Sequence, residues 1–257
     1  MFLSLRTYFV TLPFLVFSST LLGGHAGAHP PKNDSLKHRI LKTREKPSFN
    51  PGDTLHINLL NDLAYSMRFY RADSLFLLSQ EALAHSRNTN YTKGECLALL
   101  GLGEYYSDKG EHEKSVRHFK HAHKIAMELQ GTELLLNIKN SLCHQYDVMG
   151  SYAKAISGYL EGIEIAKREN DQYMLGVFHE NIGGLYDSQR DYSQALEFYK
   201  IALEIGEELN DKDFQAPTMS NIASTYAELG QLEYAMYHIN QSISILEKNE
   251  SVDWLAY

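Results

Sequence analysis

The stretch CLALLGLGEYYSDKGEHEKSVRHFKHAHKIAMEL, residues 96–129, sets a pattern that returns three more times at a fixed interval of 40 residues. Superposing the copies puts Tyr106, Tyr146, Tyr186 and Tyr226 in one column, with Gly110, Gly150, Arg190 and Gly230 four residues on. Leu102-Gly103, Leu142-Cys143, Ile182-Gly183 and Ile222-Ala223 precede each Tyr. Ser115, Ala155, Ala195 and Ala235 form a small-residue column after each turn, followed by Phe119, Tyr159, Tyr199 and Ile239. Within one copy, Ala155, Ile156, Tyr159, Leu160, Ile163 and Ala166 recur at three- and four-residue steps, which places one apolar stripe on a helix.

This arrangement resembles the tetratricopeptide repeat, whose L-G-x2-Y and later A-x3-F positions describe a helix–turn–helix unit. The resemblance spans residues 56–249 and implies an all-α, right-handed solenoid of antiparallel hairpins. The expected repeats lie near 96–129, 136–169, 176–209 and 216–249, after a degenerate copy at 56–89, within a repeat region of 56–250. The interval exceeds the usual length of about 34 residues, so each hairpin is expected to gain about 9 Å of helix. Long repeats of this kind lean toward bacterial regulatory proteins. Gly at the turns suits a left-handed helix cap, and Arg190 is expected either to adopt another turn geometry or to carry strain. Pro217 is expected near the first turn of a helix.

The formal net charge is −8, falling to −9 if Arg6 leaves with a leader. An acidic chain lacks the basic face that phosphates demand, so no nucleic acid is expected to bind this region. Residues 1–28 read as a signal peptide: Arg6 is the basic start, Tyr8 to Leu22 is mostly apolar, and Ala26-Gly27-Ala28 suits signal peptidase. The competing reading is a retained anchor, but Pro13, Ser18, Ser19 and Thr20 shorten the apolar run below the roughly 20 residues of a spanning helix. With the leader removed, no stable membrane span is expected, and the product would be exported to a periplasm or secreted. Residues 29–55, with Pro30, Pro31, Pro47 and Pro51, are expected to form a disordered linker, too poor in apolar groups to offset ordering. Residues 251–257 read as the start of a further helix, which either caps the last repeat or marks a fragment of a longer protein.

No arrangement of catalytic residues stands out. Gly101-Leu102-Gly103 lacks the third Gly and the preceding strand of a phosphate loop, so close helix packing explains it better. His118, His121 and His123 are too few on one face for zinc and are expected to be exposed polar residues. Cys96 and Cys143 occupy different positions of different repeats and are expected to be free thiols. Neither an enzyme, nor a cofactor, nor a metal is expected.

In the family that the chain resembles, the first helix of each hairpin lines an inner surface that holds a protein or peptide partner. Carried over position by position, this implies Asn140, Glu180 and Ser220, then Ser141, Asn181 and Asn221, just before the Leu-Gly pair. After it come Glu104, His144 and Ser224, then Ser107, Asp147 and Asp187. The amides suit the backbone of an extended peptide, and the carboxylates favour a basic one. Asn181 and Asn221 have an alternative use as bridges to neighbouring helices. The function expected is therefore an exported, non-catalytic scaffold. The alternative is the sensory region of a longer signal-transduction protein, such as a histidine kinase or a DNA-binding regulator.

Overall fold

A computed structural model of the chain describes residues 30–46, 48–68 and 72–255. The expected signal peptide lies outside them. The described residues form eleven helices: α1 (Pro30–Arg44), α2 (Thr54–Ser66), α3 (Ala72–Asn88), α4 (Thr92–Asp108), α5 (His112–Leu129), α6 (Thr132–Val148), α7 (Tyr152–Glu169), α8 (Gln172–Ser188), α9 (Tyr192–Glu208), α10 (Lys212–Glu228) and α11 (Leu232–Leu255). From α2 onward they pair as antiparallel hairpins, the all-α fold of tetratricopeptide-type solenoids. The described residues divide into two compact units, one running through Met174 and the other from Leu175 onward.

In the first unit the repeat columns become contacts. Phe119 and Tyr159 are buried between helices, and Ala155 is fully covered. Ser115, the one polar member of the small-residue column, is also buried, and its hydroxyl donates to the Gly103 carbonyl at 2.8 Å. That bond draws α5 tight against α4. A Cβ on Gly103 would lie 2.4 Å from Cε1 of the Phe119 ring, so close packing explains this glycine. Cys96, Leu99, Phe119, Ala122 and Ile138 share one core cluster spanning α4, α5 and α6. In the second unit Ala195, Leu196, Tyr199, Ile222, Tyr226 and Ala235 do the same across α9, α10 and α11.

The tyrosine column has a partner twelve residues on. Tyr106 stacks on His118 with ring centroids 5.2 Å apart, Tyr186 on Phe198 at 5.6 Å, and Tyr226 on His238 at 5.7 Å. In the remaining copy that position is Gly158. There Tyr146 lies instead beneath the ammonium groups of Lys120 and Lys154, at 5.9 and 5.7 Å.

Three expectations change, and the alternatives left open for Arg190 are decided. The stretch 29–55 was expected to be disordered, yet it carries α1, which buries Leu36 and Ile40 against Ile57 and Leu60 of α2. Two apolar residues one turn apart suffice here because they cover the otherwise bare side of the first hairpin. Residues 251–255 continue α11 rather than starting a new helix, since Glu247-Lys248-Asn249-Glu250 contains no Gly or Pro to stop it. Pro217 lies inside α10, because that helix begins at Lys212, four residues before the repeat boundary. Arg190 keeps the turn geometry of its column, with φ +63° beside +71°, +70° and +73° at Gly110, Gly150 and Gly230. It therefore carries the Cβ penalty of the left-handed region. A second left-handed column, Asn90, Gln130, Asn170 and Asn210, joins each hairpin to the next.

Candidate interaction site

In the first unit the leading helices α2, α4 and α6 stand side by side, and polar side chains cross between them. Glu104 is only 4% exposed; its Oε2 meets Arg68 Nη2 at 2.7 Å, and its Oε1 accepts from Ser141 Oγ at 2.7 Å. One turn later, Gln145 Nε2 donates to Ser107 Oγ at 2.5 Å, and Gln145 Oε1 lies 3.1 Å from His112 Nδ1. Asn140 is buried as well. Glu104, Ser141 and Asn140 therefore belong to the contact between hairpins, not to a surface that meets a partner. His144 and Asp147, further along α6, are half-buried. Burial lowers the His144 pKa, with Glu104 and Asp147 opposing. Burial raises that of Asp147, which His144 partly offsets.

The second unit repeats the scheme between α8 and α10. Glu180 is 6% exposed, and its Oε1 accepts from Thr218 Oγ1 at 3.0 Å and from Asn221 Nδ2 at 3.2 Å. Burial outweighs those two donors and pushes the carboxyl up to about 7. Two turns on, Asp187 Oδ1 accepts from Thr225 Oγ1 at 2.9 Å. Asp187 is half-buried, and its pKa is raised chiefly by burial, with the Thr225 bond opposing and the Glu228 charge reinforcing. Glu180 is thus another buried bridge, and Asn221 has one amide hydrogen committed to it. Asn181, Asp187 and Asn221 stay half-buried, and Ser224 is exposed.

Among the described residues, neither Asp147 nor Asp187 forms an ion pair. Each is a partly desolvated carboxylate without a cation, at the same position of successive repeats. Such a group favours a guanidinium or ammonium brought by a partner. Nucleophilic chemistry finds less support: the Cys96 and Cys143 thiols are buried, and burial pushes both up to about 12. His118 stacks on Tyr106 and His121 is exposed. A different group, His56, Glu81 and His85, comes together in the first hairpin, although no metal ligands were expected. No helix among the described residues is long and apolar enough to cross a membrane.

A tetratricopeptide-repeat family profile matches residues 173–248. A profile for anaphase-promoting complex subunit 5 matches 56–147 and again 141–185. No curated protein sequence matches the chain. Among solved structures, BtubC (BKLC) from P. vanneervenii is similar with a TM-score of 0.69 at 19% identity, covering 86% of this chain and 91% of that one. Aspartyl phosphate phosphatase F from Bacillus subtilis gives 0.67 at 18% identity over 90% of this chain, which spans 60% of the phosphatase. A Rap protein complexed with competence and sporulation factor gives 0.63 at 17% identity over 87% of this chain and 66% of its own. At these identities the likeness is one of fold.

Proposed function

This chain belongs to the tetratricopeptide-repeat family, and we propose that it is an exported, non-catalytic scaffold that binds a basic protein or peptide segment. The observation that carries the reading is Asp187, a half-buried carboxylate with no cationic partner among the described residues, held by the Thr225 hydroxyl and reinforced by the nearby Glu228 charge. Asp147 supplies a second such carboxylate in the first unit. The fold shared with a Rap protein solved in complex with a sporulation factor supports recognition of a partner by such hairpins. The net charge of −8 disfavours nucleic acid as that partner. Export rests on the leader-like first 28 residues.

Asp187→Asn keeps an oxygen for Thr225 and removes only the charge. It should weaken binding of a Lys/Arg-rich peptide by about tenfold, the effect of roughly 1.4 kcal/mol from one partly screened ion pair. Asp147→Asn should do the same independently, each with an unchanged circular-dichroism spectrum. Because burial raises both carboxyl pKa values, the affinity should fall on acidification sooner than it would for ordinary carboxylates. Unchanged affinity in both variants would move the site off these helices.

A second reading, the sensory region of a longer signal-transduction protein, is supported by α11. Its Met236, Tyr237, Ile243 and Leu246 are 64%, 60%, 44% and 49% exposed, an apolar surface of the kind a following hairpin covers. An immunoblot of source cells decides between them. A soluble band slightly below 29.3 kDa supports the free scaffold, and a much larger membrane-bound band supports the sensory region.

A further inference from the structure

The first hairpin brings together three side chains that the interaction surface does not use. His56 stands in the first turn of α2, and Glu81 and His85 lie one turn apart on α3, so both α3 residues face the same side. His56 Nε2 is 4.0 Å from Glu81 Oε1, and His85 Nε2 is 3.5 Å from the same oxygen. Candidate ligand atoms from all three residues lie within 4.8 Å of one another. Zinc bonds of about 2.0–2.1 Å in a tetrahedron set ligand atoms about 3.4 Å apart, so only a small contraction separates this arrangement from a coordination shell.

His56 supplies an independent observation. Its side chain is completely buried, and neither ring nitrogen has a hydrogen-bond partner. A buried imidazole normally satisfies one nitrogen as donor and the other as acceptor. This one instead sets Nε2 toward a carboxylate and a second imidazole, with the Phe49 ring against it edge-on at 4.9 Å. Burial, followed by the charge of Arg44, lowers the His56 pKa, with Glu81 and Asp53 opposing and His85 reinforcing. The ring is therefore neutral at neutral pH, the form that ligates metal.

We propose that His56, Glu81 and His85 form a zinc site that braces α2 against α3, with a fourth position open to water. Two imidazoles and a carboxylate are a borderline donor set that suits zinc better than calcium or magnesium. Arg44 of α1 is the built-in competitor: its Nη2 donates to Glu81 Oε1 at 2.5 Å. With 41% of that side chain exposed, the guanidinium has room to yield Oε1 to the metal.

The test is a titration of the chelator-stripped full chain with Zn2+ against a chromophoric competitor, with Co2+ as a spectroscopic probe. One ion per chain should bind with a micromolar or tighter Kd, and Co2+ should give the visible absorption of tetrahedral coordination. His85→Ala, at a partly exposed position where the fold tolerates truncation, should weaken binding at least tenfold with unchanged helicity. Arg44→Gln should tighten it, a gain that a merely structural role for the cluster would not produce. His121→Ala should leave it unchanged. Absence of a saturable site, or a site that survives His85→Ala and is lost with His121→Ala, would overturn the assignment.

Discussion

Arg68→Met should destabilise the first unit by about 3–5 kcal/mol, the usual consequence of removing one partner from a buried ion pair. Arg68 Nη2 and Glu104 Oε2 are 2.7 Å apart, and each side chain is only 6% exposed. Without the guanidinium, the Glu104 carboxylate would keep the Ser141 hydroxyl on one oxygen and face a packed interior on the other. The damage should centre on α2, α4 and α6, whose contact this triad holds, so hydrogen exchange is the appropriate readout. Local opening in a repeat protein need not register as one global transition. Amides of α2 and α4 should exchange much faster in Arg68→Met, while those of α9 should change little. Adding Glu104→Gln should recover most of the loss, because it removes the stranded charge. A single variant within about 0.5 kcal/mol of the parent would mean that the pair is solvated and does not hold the hairpins together.

Glu180→Gln should stabilise the second unit at alkaline pH, in the opposite direction to most core substitutions. The Glu180 carboxyl is raised from 4.5 to about 7 because burial disfavours its charge more than Thr218 and Asn221 support it. The folded protein therefore holds a proton that the unfolded chain has released. Stability is fully present below about pH 4.5 and is lost as pH rises through about 7, after which the loss levels off. A shift of this size corresponds to an upper bound of roughly 3 kcal/mol. An amide keeps an oxygen for both donors and has no proton to lose. The variant should thus unfold at higher urea than the parent at pH 8 and match it near pH 4.5. A parent whose α8–α10 stability is flat over this window would show that the carboxyl is not held in a desolvated site.

The hairpins were legible because their columns are short-range and recur: Tyr106 and Phe119 name the helices, and Gly110 names the turn between them. Helix starts were less visible. Asp211 caps α10 by accepting from Phe214 N, yet as one acidic residue among many it carries little signal beside the repeat columns. The partner-facing residues were only partly legible. A polar residue on a leading helix points either outward or sideways to the next helix, and sequence spacing does not separate these directions. Glu104, Asn140 and Glu180 point into the contact between helices, while Asp147 and Asp187 remain at its edge. The α1 helix escaped notice because, among its described side chains, only Leu36 and Ile40 are buried in a charged stretch. The His56 cluster joins residues 25 and 29 apart on two helices; its sole sequence trace is the four-residue step from Glu81 to His85.

The most direct test of the scaffold reading is a fluorescence-anisotropy titration of the full chain with a labelled Lys/Arg-rich peptide and with the same peptide carrying Glu at every basic position. Saturable binding of the basic peptide alone, weakened by salt and weakened about tenfold by Asp187→Asn, is the result expected from a half-buried carboxylate without a cationic partner among the described residues. Equal binding of the two peptides, or binding of the basic one that ignores both salt and Asp187→Asn, would contradict it.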